Sequence, residues 1–293
     1  MTNTNNSSKR KYSSKVTDGY DRAPSRAMLR AVGFKTEDFK KPQIGIASTW
    51  SMVTPCNMHI NKLAETTEAG VNKSGGKGII FNTITISDGI SMGTEGMKYS
   101  LPSRDLISDS IESVVKGMHY DALVCIPGCD KNLPGSVMAM IQLNRPSLMV
   151  YGGSMKPSEP DKYDIVSAFE SYGQYLSGEI TDEEREKIVS TACNKGCGSC
   201  SGFYTANTMA SLFEVMGISL PNSSSNMNMS KRKLMETNEI GSAIKNLLIQ
   251  DIKPKDILTK QAFKNGSDWL VIGRPITKGN IKKNIQTLIK HLN

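Results

Sequence analysis

Between Pro42 and Gly153 the chain alternates short β-branched runs with stretches of helical periodicity, and this alternation restricts the fold more than any other feature. Residues 44–48, 79–86, 122–126 and 147–151 read as strands. Residues 59–73 read as a helix closed by Ser74-Gly75-Gly76. A second helix is predicted behind an N-cap at Ser103, with Leu106, Ile107, Ile111, Val114, Val115 and Met118 on one face. A third runs from about Pro134 to Leu143. Strands joined by helices of this length imply βαβ units and a parallel sheet. The expected class is therefore α/β, a parallel-sheet domain followed by a mainly helical part. In that second part Thr181 to Glu184 fits a capping box, and residues 231–250 read as a long helix.

Ligands of a parallel sheet bind outside the carboxyl ends of its strands. Three loops are placed there. Thr54-Pro55-Cys56-Asn57 follows the first strand, the glycine-rich stretch from Ser87-Asp88-Gly89 to Gly96 follows the second, and Cys129-Asp130-Lys131 follows the third. They are distant in sequence, yet the topology gathers them on one edge. A soft thiolate suits iron or zinc, whereas a hard carboxylate suits magnesium or manganese. Cys129 beside Asp130 therefore points to two different metal centres meeting at one strand end. Farther on, Cys193, Cys197 and Cys200 fall within eight residues, with glycines that let the backbone approach a cluster.

Composition narrows the function classes. The chain has 293 residues, 38% of them hydrophobic and 22% charged, as in a globular protein. No run of about 18 apolar residues argues for a membrane span. Residues 1–11 are polar, lack a secretory core, and are expected to be a disordered tail. The net charge is +8, but the lysines are scattered and few aromatics interleave them, so small anionic substrates are expected rather than nucleic acid. The densest basic run, Lys231-Arg232-Lys233, reads as a solvated helix face. Six cysteines without a secretory signal point to a reducing, cytoplasmic setting. Of these, Cys125 falls inside a strand and reads as core. His59 reads as a hydrogen-bonding residue at a helix start, and His119 and His291 as incidental.

Four stretches carry a family resemblance. They are Cys129-Asp130-Lys131 with Pro134, Gly135, Met138 and Ala139; Ser87-Asp88-Gly89-Ile90-Ser91-Met92-Gly93-Thr94; Tyr99-Ser100-Leu101-Pro102-Ser103-Arg104; and Tyr204-Thr205-Ala206-Asn207-Thr208-Met209. Over residues 12–265 the chain resembles the dihydroxy-acid/6-phosphogluconate dehydratase family, on its dihydroxy-acid branch. The loop around Cys56 resembles the subgroup that carries a 2Fe-2S cluster. By that resemblance Cys56, Cys129 and Cys200 would hold the cluster, with 4Fe-4S as the other possibility. Asp88, Asp130 and Lys131, the last as its carbamate, would hold magnesium. The implied reaction removes water from a 2,3-dihydroxy acid, giving a 2-oxo acid on the way to valine and isoleucine. A homodimer is implied as well.

Two departures accompany the resemblance. The segment from Cys193 to Cys200 is one residue longer than the related pattern, and Phe203 stands where Met is usual. Cys193 and Cys197 are therefore expected to be structural rather than ligands. The family also continues into a β-barrel-like domain that supplies a serine base and a further magnesium ligand, and that domain is expected to be absent here. In its place residues 266–293 resemble the last strand and helix of orotidine 5′-phosphate decarboxylase, with Gly273 and Arg274 at its phosphate grip. One strand and one helix cannot rebuild such a barrel. This tail is expected to be foreign, and the chain alone weak or inactive, with no catalytic base of its own. Two alternatives stay open: a radical SAM enzyme using Cys193, Cys197 and Cys200, and a non-catalytic remnant or oligomerisation partner.

Overall fold

The structure is a computed structural model that describes residues 8–194 and 196–259. The chain divides into two compact units, 1–254 and 255–293, and the elements below belong to the first. The expected junction at 265/266, the strand and helix beyond it, Gly273 and Arg274 all lie outside the described residues. Of the expected tail, residues 8–11 are described. Ser8–Arg10 form a 3-10 turn, and the Arg10 guanidinium bonds the Thr17 hydroxyl at 2.7 Å and the Asp18 carboxylate.

A helix, α1 (Ala23–Ala31), precedes the sheet. The sheet has four strands: β1 (Gln43–Ser48), β2 (Lys77–Asn82), β3 (Ala122–Ile126) and β4 (Ser147–Met149). Their order is β2–β1–β3–β4 and every pairing is parallel. Central strands covered on both faces read as unbroken apolar runs, and β1 and β3 are buried at every position. Helix α2 (Ile60–Lys73) connects β1 to β2, α3 (Ser100–Gly117) connects β2 to β3, and α4 (Asn132–Leu143) connects β3 to β4. The expected βαβ architecture is thus present.

The helical part comprises α5 (Ile165–Leu176), α6 (Asp182–Thr191), α7 (Thr205–Val215) and α8 (Lys231–Gln250). The capping box opens α6 as the sequence predicts: the Glu184 N–H donates to Thr181 Oγ1 at 3.2 Å, and the Thr181 N–H donates to Glu184 Oε2 at 2.8 Å. Helix α8 returns to the sheet and packs on α2. Ile240 and Ile244 join Ile44, Ile46, Leu63, Val124 and Leu148 in one core. The two helices touch backbone to backbone, since a Cβ on Gly241 would stand 2.1 Å from the Gly70 carbonyl oxygen.

Five sequence expectations are corrected; one is the fourth strand, which ends at Met149 and not at 151. The second strand stops at Asn82 instead of continuing to 86. Beyond the last rung, where Thr83 N–H reaches Ser48 O at 2.9 Å, side chains replace the ladder: Asn132 binds the Ile84 carbonyl and the Thr85 hydroxyl. Helix α3 begins at Ser100, not behind Ser103, because Pro102 is tolerated in a first turn; the Ser103 hydroxyl bonds the Ser100 carbonyl at 2.6 Å instead of capping. Its buried stripe is Ile107, Ile111 and Val115, with Leu106 and Met118 exposed and Val114 half-buried. Finally, Lys233 is not on a solvated face. Its side chain is fully buried, with Nζ 2.8 Å from Glu236 Oε2 and 2.9 Å from the Ser223 carbonyl. The ion pair makes burial of the ammonium tolerable.

Candidate active site

With the order β2–β1–β3–β4, the connections leaving β1 and β3 run to opposite sides of the sheet. The crevice between their carboxyl ends is the topological switch point, where open α/β sheets bind ligands. The Cys56 loop leaves β1 there and the Cys129-Asp130-Lys131 loop leaves β3. They meet closely at Gly128, where a Cβ would stand 2.3 Å from the Cys56 carbonyl oxygen. Only a glycine fits between the two loops.

The Cys200 loop comes from the helical part and is stitched onto both. Its Gly198 N–H donates to the Pro55 carbonyl at 2.9 Å, its Ser199 N–H to the Gly153 carbonyl at 3.0 Å, and its Ser199 hydroxyl to the Gly128 carbonyl. The Asn207 amide, on α7, donates to the carbonyls of Cys200 at 2.5 Å and Gly202 at 2.6 Å. Tyr151 and Ser154 donate in turn to its oxygen. Cys56, Cys129 and Cys200 consequently line one cavity of about 350 Å³. Their sulfurs interact: the Cys129 thiol, then the Cys200 thiol, then burial push the Cys56 thiol well above its usual range. The same contact with Cys56 outweighs burial and holds Cys200 below it.

Asp88 and Asp130 line the same cavity. Lys131 Nζ sits 2.7 Å from Asp88 Oδ2, and the Ser100 hydroxyl donates to Asp88 Oδ1 at 2.7 Å. Burial would raise the Asp88 carboxyl, but Lys131 and Ser100 outweigh it and hold it low. Asp130 is pushed up to about 6, first by burial and then by the Asp88 charge. Two carboxylates thus crowd around one ammonium, an arrangement short of positive charge. The rest of the cavity wall includes Met92, Phe169 and Tyr204.

All six predicted site residues are therefore brought to one edge of the sheet. Among the described residues no three His, Cys, Asp or Glu side chains form a ready single-ion shell. The donors fall into two kinds: a soft set of three sulfurs adjoins a hard set of two carboxylates, with a cation already against one of them. The three cysteines of the triplet stand in different surroundings. Cys193 is exposed, Cys197 accepts from the Asn228 amide at 3.4 Å, and only Cys200 turns to Cys56. Cys125 is fully buried in β3, and His59 donates from Nε2 to the Gly152 carbonyl at 2.8 Å, both as expected. Among the described residues no helix is long and apolar enough to cross a membrane.

Sequence reasoning missed the residues that brace the loops of the site, chiefly Asn57, Ser100, Asn132 and Asn207. A signal existed for Asn132 and Asn207, which are amides at the buried starts of helices, where an apolar residue would otherwise face the core.

Comparison with known proteins gives a family profile described as dihydroxy-acid/6-phosphogluconate dehydratase N-terminal, matching residues 41–272. A dihydroxy-acid dehydratase of Vesicomyosocius okutanii is 59% identical over 256 residues, covering 87% of this chain and 46% of the relative. Dihydroxy-acid dehydratase 2 of Pseudoalteromonas translucida is 58% identical over 262 residues, 89% of this chain and 46% of its own length. The mitochondrial dihydroxy-acid dehydratase of Saccharomyces cerevisiae is 52% identical over 269 residues, again 89% and 46%. The chain spans about half the length of the curated relatives it matches.

Proposed function

The chain belongs to the dihydroxy-acid/6-phosphogluconate dehydratase family, and from that premise we propose that it carries the metal-binding part of a hydro-lyase converting 2,3-dihydroxy-3-methyl acids to 2-oxo acids for valine and isoleucine synthesis. The observation that supports this reading is the meeting of Cys56, Cys129 and Cys200 with Asp88 and Asp130 in a single cavity at the switch point. Cys56, Cys129 and Cys200 would hold an iron–sulfur cluster, 2Fe-2S by the family resemblance of the Cys56 loop, with 4Fe-4S as the other possibility. Asp88 and Asp130 would hold magnesium, joined by Lys131 as its carbamate. When bound, the cluster supplies a Lewis acid with an open iron site for a departing hydroxyl, and magnesium a hard charge for the substrate carboxylate.

The chain's own residues do the positioning. Ser100 fixes the Asp88 carboxylate by hydrogen bonding to one oxygen, leaving the other for a cation, where the Lys131 ammonium stands now. The apolar side chains of Met92 and Phe169 offer a wall for the alkyl branch of the substrate. No base is assigned to a residue of this chain. Pairing of two copies and a cytoplasmic setting are part of the same proposal.

Anaerobic reconstitution with iron and sulfide tests the reading. About two irons and two sulfides per chain are expected, lost in Cys56→Ser, Cys129→Ser and Cys200→Ser and kept in Cys125→Ala and Cys193→Ser. A cluster that survives without Cys56 and Cys129 but not without Cys193 or Cys197 would sink it in favour of the radical SAM arrangement.

A further inference from the structure

Asn132 is buried at the first turn of α4, outside the lining of the cavity described above, and it meets three of the four loops that carry the candidate ligands. Its Oδ1 accepts from the Cys129 N–H at 3.0 Å, from Asn57 Nδ2 at 2.8 Å and from the Thr85 hydroxyl at 2.9 Å. Its Nδ2 donates to the Ile84 carbonyl at 3.1 Å. Turning the amide over would aim an NH2 group at three donors and an oxygen at a carbonyl, so the network admits one orientation. Asn57 continues the tie, donating to the Thr49 carbonyl at 2.7 Å and to the Thr49 hydroxyl at 2.8 Å. Asn57 directly follows Cys56, Thr85 stands three residues before Asp88, and Cys129 is bonded through its own backbone.

We propose that Asn132 is the positioning residue of the site, a single amide that sets the spacing of the Cys56, Asp88 and Cys129 loops. The proposal rests on the reading of the three cysteines as one sulfur site. A turn-stabilising asparagine would bond only its own loop. This one spends three of its four bonds on loops from β1 and β2, which reach Asn132 from 75, 47 and 48 residues away.

A metal-free measurement tests it on the reduced, full-length chain in a Cys193→Ser/Cys197→Ser background. Phenylarsine oxide bridges two nearby thiols: two arsenic–sulfur bonds form, the arsenic–oxygen bond breaks, and the oxygen leaves with both thiol protons as water. Arsenic keeps its oxidation state. Bridging gains from the second thiol only when the spacing is held, an advantage of about 10²–10⁴-fold for well-placed pairs. The parent should bridge Cys56 with Cys129 or Cys200, mapped by peptide mass. Asn132→Ala should lower bridging affinity about 10-fold or more, while Ile240→Ala, a core substitution on α8, destabilises the fold and keeps bridging. Thr85→Val removes one of the three accepted bonds with little loss of volume, and should weaken bridging by a smaller factor even where Asn132→Ala fails to fold. Parent-like bridging in Thr85→Val and in any folded Asn132→Ala overturns the role of Asn132 alone. Failure of the parent to bridge overturns the sulfur site itself.

Discussion

Replacing Lys233 by Met removes one half of a buried ion pair whose atoms are 2.8 Å apart. At an effective dielectric near 20 the lost attraction is about 6 kcal/mol. Most of it offsets the cost of taking both ions out of water, so the pair itself adds little net stability. Deleting one partner is different. Glu236 then stays buried with only the Ser223 hydroxyl and the Asn226 amide, the latter at 3.0 Å, and such orphaned charges cost about 3–5 kcal/mol. Urea unfolding at neutral pH reads this as a lower midpoint at unchanged slope. Lys231→Met, at an exposed position two residues earlier, should stay within about 0.5 kcal/mol of the parent. In Lys233→Met/Glu236→Leu the second substitution should restore about 2 kcal/mol or more, a coupling within the range of contacting pairs. A Lys233→Met cost below about 1 kcal/mol, the level of an exposed pair, would refute the argument and mean that the ammonium reaches solvent.

Two further predictions concern contacts described above. Gly241→Ala should destabilise by about 1–3 kcal/mol through overpacking, because its Cβ meets the Gly70 backbone at 2.1 Å; Gly117→Ala, with open space around it, should stabilise by up to about 1 kcal/mol, and thermal melts separate the two. Glu214 accepts from the Asn222 N–H at 2.7 Å and from the Ser224 N–H at 2.8 Å and hydroxyl at 2.6 Å. Burial raises its carboxyl, but these bonds outweigh burial and hold it below 4.5. A depressed carboxyl contributes stability that is present above 4.5 and lost as pH falls through the folded value. Glu214→Gln should therefore lower the melting temperature at neutral pH and flatten its decline in acid, and parallel curves for parent and variant would count against the assignment.

Much of this was legible in the sequence because it depended on periodicity and on position relative to strand ends. The four strands, the Thr181–Glu184 box and the convergence of Cys56, Asp88 and Cys129 follow from patterns that local backbone preferences enforce. What was not legible depends on which neighbour arrives from far away. Lys233 looks like any helix-surface lysine until the Ser223 loop and Glu236 close around it. The early end of β2 likewise reflects bonds from Asn132 that a one-dimensional reading does not contain. Asn132 itself lies between Lys131 and Pro134 of a family motif, but its partners lie on loops that only the folded sheet brings near.

The parallel strand order has a further consequence for the history of each molecule as it is made. Cys56, Cys129 and Cys200 are each separated from the next by about 70 residues, and parallel pairings of that span form late because loop closure must precede them. During synthesis the first two thiols emerge well before the third. Until α7 delivers the Cys200 loop to the Pro55 and Gly153 carbonyls, no nascent chain offers a complete sulfur set. On the proposed reading, capture of a cluster would be deferred until that third loop docks, and the ability to hold iron would report the docking.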